Sequence, residues 1–383
     1  MAEPAGMAAR IALPSASPRP RPGILDIAPY VPGAQAAEGH DNPVRLASNE
    51  NPLGCSPRAR EAYRDLAGEL HLYPDGGAVA LRAAIADCHG LEADRIVCGA
   101  GSDELIALLA RAYAGVGDRV VYSQYGFLMY HLSALAVGAT PVPVPEADYT
   151  ASVDGLIAAG SVPGTTVVYL ANPNNPTGTW LPSAEIRRLR AGLPPSVLLV
   201  LDSAYAEYMT QDIYDDGAAL VRASVGAGDN VVMLRTFSKL HGLAALRLGW
   251  AYCPPAVAAV LDRVRGPFNT SAAAQAAAQA ALDDEGFQQR SVAHNTEWRP
   301  WLAEAVRELG LQVPGDAGNF VLARFPAKPA ASPVQVAAAL AARGFLVRPV
   351  AAYGLADSLR ITVGLPNQNR ALVAALRDCL QAR

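Results

Sequence analysis

Apolar positions in this chain follow two alternating rhythms. RIVCG (95–99), RVVYSQ (119–124), TTVVYLANP (165–173), VLLVLDSAY (197–205) and NVVMLRTFS (230–238) are short runs rich in valine, isoleucine and leucine, the pattern of buried strands. Between them the apolar residues take helical spacing: in SDELIALLARAY after the first, from about Phe127 to Val137 after the second, and near Pro182 to Ala191 after the third. Strands alternating with helices imply a largely parallel sheet covered on both faces, so the expected fold class is α/β. Upstream, PRAREAYRDLAGEL reads as a helix, HLYPDGG as a turn, and AVALRAAIADCHG as a second helix closed at Gly90. IAPYVPG and NPVRLASNENPLGCSP carry proline and asparagine too densely for helix and read as extended or turn segments. After Gly249 the composition changes. SAAAQAAAQAALDDEGF reads as one helix and the segment around WRPWLAEAVRELG as another, while NFVLARF, GFLVRPV and SLRITVG supply strands for a smaller α+β unit.

At 383 residues the chain exceeds one ordinary core. The expected division is a disordered lead over 1–23, a segment over 24–44 that joins the smaller unit, a large domain over 45–265 and a small one over 266–383. Prolines break the lead too often for a signal segment, and no later run approaches the ~18 apolar residues of a membrane span. Composition narrows the partners. With 51% hydrophobic residues, 17% charged and a net charge of −4, the chain reads as a well-buried globule without a nucleic-acid or membrane partner. Neither the five scattered cysteines nor the six histidines fall at metal-ligand spacing, so no metal is expected and a reducing cytoplasm suits the chain.

Charge usage then singles out one residue. Of 31 basic side chains only Lys239 and Lys328 are lysines. An ammonium can lose its proton and attack a carbonyl, which a guanidinium cannot, so Lys239 points to Schiff-base chemistry, with a surface charge as the plain alternative. Lys328 lies in FPAKPAASP, a turn or linker where a solvated charge is expected.

Ligands of open parallel sheets bind beyond the carboxyl ends of the strands, and the unusual residues cluster at those ends: GAGSDE, QYGF, NPNNPTG, DSAY and TFSK. Gly99 to Glu104 is either a phosphate cradle at a helix start or an ordinary capped turn; it lacks the third glycine of a dinucleotide fingerprint. Tyr125 offers a flat face to an aromatic ligand or packs in the core. Two prolines stiffen the turn that presents the amide of Asn175, which suits holding a ligand oxygen. Asp202 ends an apolar strand and asks for a cation, either a protonated pyridine nitrogen or a structural arginine, and Tyr205 adds a phenol nearby.

LASNENPLG, GAGSDE, NPNNPTG, DSAYAEY and FSKLHGLAALRLGW, in that order, resemble the pyridoxal-phosphate aminotransferases of fold type I, and within them most closely the histidinol-phosphate aminotransferases. The resemblance runs from about Tyr30 to the C-terminus. It implies a large domain with a mainly parallel sheet, a smaller α+β domain, and a homodimer with a shared active site. By the same resemblance Lys239 carries pyridoxal 5'-phosphate and moves the substrate proton, and Asp202 keeps the pyridine nitrogen protonated. Asn175 and Tyr205 bond its phenolic oxygen, and Tyr125 stacks on the ring. Ser102, Asp103, Ser238, Arg247 and the neighbouring subunit's Tyr73 hold the phosphate. Tyr30 and Asn49 stand at the mouth, Arg360 forks a substrate carboxylate, and Arg348 makes a second anion contact. The implied partners are a small-molecule amino donor and a 2-oxo acid, namely histidinol phosphate and 2-oxoglutarate in histidine biosynthesis. The same framework also serves aromatic amino-acid transamination and phosphothreonine decarboxylation. A cofactor-binding regulator fits less well, because the short lead supplies no DNA-binding module. QYGFLMY departs from the threonine-tyrosine-glycine run common at that point.

Overall fold

The structure is a computed structural model that describes residues 20, 21, 23–29, 33–327 and 331–381. Tyr30, Lys328 and most of the expected N-terminal lead lie outside the described residues.

A two-residue strand β1 (Val44–Arg45) precedes α1 (Pro57–Asp65) and α2 (Val79–His89). Ser56 caps α1 by accepting from the N–H groups of Arg58 and Ala59, and Pro57 sits at the first turn, where a missing N–H is harmless. The main body follows as β2 (Ile96–Gly99), α3 (Ser102–Tyr113), β3 (Arg119–Ser123), α4 (Leu128–Val137), β4 (Thr140–Val144), α5 (Val153–Gly160), β5 (Thr165–Ala171), α6 (Ser183–Gly192), β6 (Leu198–Asp202), α7 (Ala218–Ser224), β7 (Val231–Thr236) and β8 (Gly249–Tyr252). These strands form one sheet in the order β2-β8-β7-β6-β5-β3-β4. Neighbours from β7 through β4 run parallel, whereas β8 is antiparallel to both β2 and β7.

Two of these strands went unread in the sequence. In β4, TPVPV, Pro141 and Pro143 take alternate positions whose N–H would face the open edge of the sheet, the one place where a strand tolerates them. β8, GWAY, is too short to show a period.

The sheet is covered on both faces, as alternation along its strands requires. In β7, Val231 and Met233 join one core, and Val232 and Leu234 join the other.

The remainder comprises α8 (Pro255–Val264), α9 (Ala272–Leu282), α10 (Glu285–Glu308), β9 (Phe320–Arg324), α11 (Pro333–Ala341), β10 (Phe345–Leu346), β11 (Arg348–Val350), β12 (Leu355–Thr362) and α12 (Pro366–Gln381). A three-stranded antiparallel sheet, β11-β12-β9, supports a separate core that includes Trp298, Leu302, Leu359, Ile361 and Leu372. β1 pairs in parallel with β10, so the N-terminal strand is tied to this smaller unit. Two expectations need correction here. The alanine-rich helix stops at Leu282, and Asp284 caps a new, 24-residue helix. The boundary expected at residue 266 also shifts, because Ala274, Ala277, Ala278 and Ala281 of α9 are buried in the larger core. Their small side chains let α9 lie close against α1 and α2, which the alanine content alone did not reveal.

Candidate active site

Carboxyl ends of the parallel strands, with β1 and the β11–β12 pair facing them, enclose a cleft of about 590 Å³. Lys239 enters it from the turn after β7. That turn packs against the loop after β1 so tightly that a Cβ on Gly242, at φ 67°, would lie 1.9 Å from the carbonyl oxygen of Gly54. Lys239 Nζ donates to the Ser48 carbonyl at 3.1 Å and stands 5.8 Å from the centre of the Tyr205 ring. Burial of the amine pulls its pKa down to about 8, helped by Arg360 and Arg247 and opposed by Asp103 and Glu50. A neutral, nucleophilic amine is therefore within reach near neutral pH.

Asp202, at the end of β6, is 5% exposed. Desolvation lifts its carboxyl to about 6, against hydrogen bonds from the Tyr130 hydroxyl at 2.7 Å and the Ala204 N–H at 3.2 Å. Tyr130 is fully buried on α4 and stacks on Tyr169, with centroids 4.8 Å apart. The hydroxyl of Tyr169 is in turn held by the Ile106 carbonyl. This support for Asp202 was missed in the sequence, where Tyr130 is one tyrosine among 14.

Asn175 and Tyr205 both line the cleft. Arg360 Nη1 donates to Asn175 Oδ1 at 2.5 Å and its Nη2 to the Ala47 carbonyl at 2.6 Å, while its buried Nε has no partner among the described residues. With Oδ1 engaged, the amide of Asn175 retains its N–H donors for a ligand oxygen. Arg348 lies opposite Arg360 in the β11–β12 register, and both line the cleft. At the mouth, Arg45 and Glu50 form an ion pair at 2.5 Å that sequence reasoning had not marked.

Opposite this end is a cradle for an anion. α3 begins at Ser102 behind Gly101, whose φ is 86°. Arg247 reaches Asp103 Oδ2 at 3.2 Å and Ser238 Oγ at 3.4 Å. A Cβ on Gly101 would come within 2.4 Å of Arg247 Nη2, so glycine is what admits the guanidinium. Helix N–H groups, two serine hydroxyls and an arginine match the donor set of a phosphate. The residues thus fit pyridoxal phosphate, with a phosphate cradle, an amine of lowered pKa, an amide donor and a buried carboxylate around one cleft.

Two expected placements differ. Asn49 is fully buried, not at the mouth: its φ of 56° turns the side chain inward, where Nδ2 donates to the Tyr205 hydroxyl at 2.8 Å and Oδ1 accepts from Thr362. Its neighbours Ser48 and Glu50 line the cleft instead. Tyr125 does not line the cleft either; its ring packs on Tyr149 at 5.8 Å, and Phe127, two residues on, takes the lining position. Tyr73 is 82% exposed and stacked on Phe268 at 4.6 Å, away from this chain's own cleft.

The family model for aminotransferase class I and II matches residues 41–376, and the chain belongs to that family. Among its relatives, the histidinol-phosphate aminotransferase of Paramagnetospirillum magneticum is 53% identical over 366 residues, covering 96% of this chain and 99% of the relative. That of Rhodospirillum centenum is 56% identical over 366 residues, with 95% and 99% covered. The crystal structure of histidinol-phosphate aminotransferase from Sinorhizobium meliloti in complex with pyridoxal-5'-phosphate superposes with a TM-score of 0.83 at 30% identity, covering 90% of this chain and 92% of that one.

Proposed function

We infer that this chain is a pyridoxal-phosphate-dependent aminotransferase that exchanges an amino group between histidinol phosphate and 2-oxoglutarate in histidine biosynthesis. The observation that carries the reaction class is the juxtaposition of Lys239, held near pKa 8, with the Ser102–Ser238–Arg247 cradle and the buried carboxylate of Asp202. When bound, pyridoxal phosphate supplies an aldehyde for the substrate amine and a ring that takes up electrons from the substrate carbon. The chain supplies the rest. Ser102, Asp103, Ser238 and Arg247 hold the phosphate, and Asn175 and Tyr205 donate to the phenolic oxygen. Asp202, ionised above about pH 6, pairs with the protonated pyridine nitrogen. Lys239 Nζ would take the proton from the substrate carbon and pass it to the aldehyde-derived carbon of the cofactor.

Substrate choice rests on the two arginines of the β11–β12 pair. Glutamate and histidinol phosphate each carry an anion remote from the reacting amine, and Arg360 and Arg348 lie side by side to receive it. The larger unit carries the cofactor and the smaller unit brings these arginines. Exposed Leu70, Leu72, Tyr73 and Phe268 form an apolar surface suited to a homodimer, which would bring Tyr73 to the partner's phosphate. Among the described residues no helix is long and apolar enough to cross a membrane, and we place the enzyme in the cytoplasm. A half-reaction screen tests the reading: histidinol phosphate should convert bound cofactor faster than phenylalanine or tyrosine. Preference for an aromatic donor, or release of carbon dioxide from a phosphothreonine, would reject it.

A further inference from the structure

Phe127 reaches the cleft from a four-residue turn, Gln124 to Phe127, between β3 and α4. The turn is tight: Gly126 N–H donates to the Ser123 carbonyl at 2.7 Å, and a Cβ on Gly126 would lie 2.9 Å from that oxygen. One side chain from outside the turn grips it at two points. Glu146, just past β4, accepts at Oε1 from Ser123 Oγ at 2.5 Å and from the Tyr125 N–H at 3.1 Å. Its Oε2 is buried without a partner among the described residues, and burial pushes its carboxyl to about 7, with the Ser123 and Tyr125 bonds opposing. A carboxyl carrying its proton on Oε2 still accepts both bonds at Oε1, so the grip holds in either protonation state.

Other contacts converge on the same turn. Tyr125 packs on Tyr149, three residues beyond Glu146, and its carbonyl accepts from Asn174 Nδ2 at 3.2 Å. Asn174 adjoins Asn175, the donor assigned to the ligand oxygen. A shift of this turn would therefore disturb one wall of the cleft and the loop beside it.

We propose that Glu146 is a positioning residue for the cofactor site: by bonding Ser123 Oγ and Tyr125 N–H it sets the turn that presents Phe127 to the cleft. The proposal rests on the cofactor reading above and concerns a residue that does not touch the cleft. Neither the motifs nor the apolar pattern of the sequence marks Glu146.

The test uses full-length protein, with two readouts besides turnover: affinity of the apoprotein for pyridoxal phosphate, and the visible circular dichroism of the bound cofactor, which reports ring orientation. Glu146→Ala removes the acceptor of both bonds and should weaken cofactor affinity roughly tenfold while changing the dichroic band. Glu146→Gln keeps an acceptor at Oε1 and should stay within about threefold of wild type, with its band restored. Ser123→Ala, which deletes one of the two bonds, should shift both readouts in the same direction by less, and it serves if Glu146→Ala does not fold. Wild-type affinity and band in Glu146→Ala, even with a lowered melting temperature, would overturn the positioning role and leave the cofactor reading standing. Equal losses in the Gln and Ala variants would also overturn it. A wild-type apoprotein that takes up no pyridoxal phosphate would overturn both.

Discussion

Removing the Tyr130 hydroxyl isolates what holds Asp202 ionised. Asp202 sits at about 6, because burial raises it while the Tyr130 hydroxyl and the Ala204 N–H pull it back. A hydrogen bond to a charged group contributes roughly 1.5–3 kcal/mol. At about 1.4 kcal/mol per pKa unit, Tyr130→Phe should raise Asp202 by about one to two units, into the range of roughly 7–8. Only the ionised carboxylate pairs with a protonated pyridine nitrogen. Cofactor affinity of the apoprotein should then fall off below about pH 6 in the wild type but below roughly pH 7–8 in the variant, leaving it about two- to tenfold weaker at pH 7. Stability shifts in the linked sense. The folded pKa of Asp202 lies above its ordinary 3.8, so folding stability declines as pH rises from there through about 6. In Tyr130→Phe that decline should continue for one to two units more. The assay is titration of apoprotein with pyridoxal phosphate across pH 5.5–9, followed at the cofactor band, taking the variant-to-wild-type ratio at each pH. The ratio cancels the titration of Lys239, common to both proteins, and should approach one at the alkaline end. A ratio flat across pH would refute the reasoning, since general packing damage does not track ionisation of one carboxylate.

Four further outcomes follow from the geometry. Lys239→Ala should abolish the lysine-linked cofactor absorbance; an unchanged spectrum would remove the nucleophile assignment. In the wild type, the rate of cofactor uptake should fall as pH drops through about 8, because Lys239 is then protonated, and stopped-flow absorbance reads this directly. Gly101→Ala should weaken cofactor binding by roughly tenfold, because φ 86° strains an alanine and its Cβ would push the Arg247 guanidinium out of the cradle, and calorimetric titration of apoprotein with inorganic phosphate would show whether the cradle is lost. Arg360→Ala should raise the KM for glutamate by one to two orders of magnitude and also lower cofactor affinity, since Asn175 Oδ1 loses its donor at 2.5 Å; a change in KM alone would mean that Asn175 is held without it.

Much of this site was legible in the chain itself. Scarcity of lysine marked Lys239, and the alternation of apolar runs with helical segments placed Asp202, Asn175 and the Gly99–Glu104 loop at strand ends, because side-chain periodicity reports burial directly. Local pattern reaches no further than its own segment. The antiparallel course of β8, the allegiance of α9 to the larger core and the pairing of β1 with β10 depend on partners far away in sequence. The same holds for individual side chains. Tyr130 bonds Asp202 across 72 positions, and Asn49 bonds Thr362 across 313. Tyr125 and Phe127 are two residues apart in one turn, and nothing in QYGF decides which lines the cleft. The sequence by itself determined which chemical groups are present and which strand ends carry them. Tertiary structure decided which way each one points and which partner sets its charge, because direction and desolvation arise only once the two units close around the cleft.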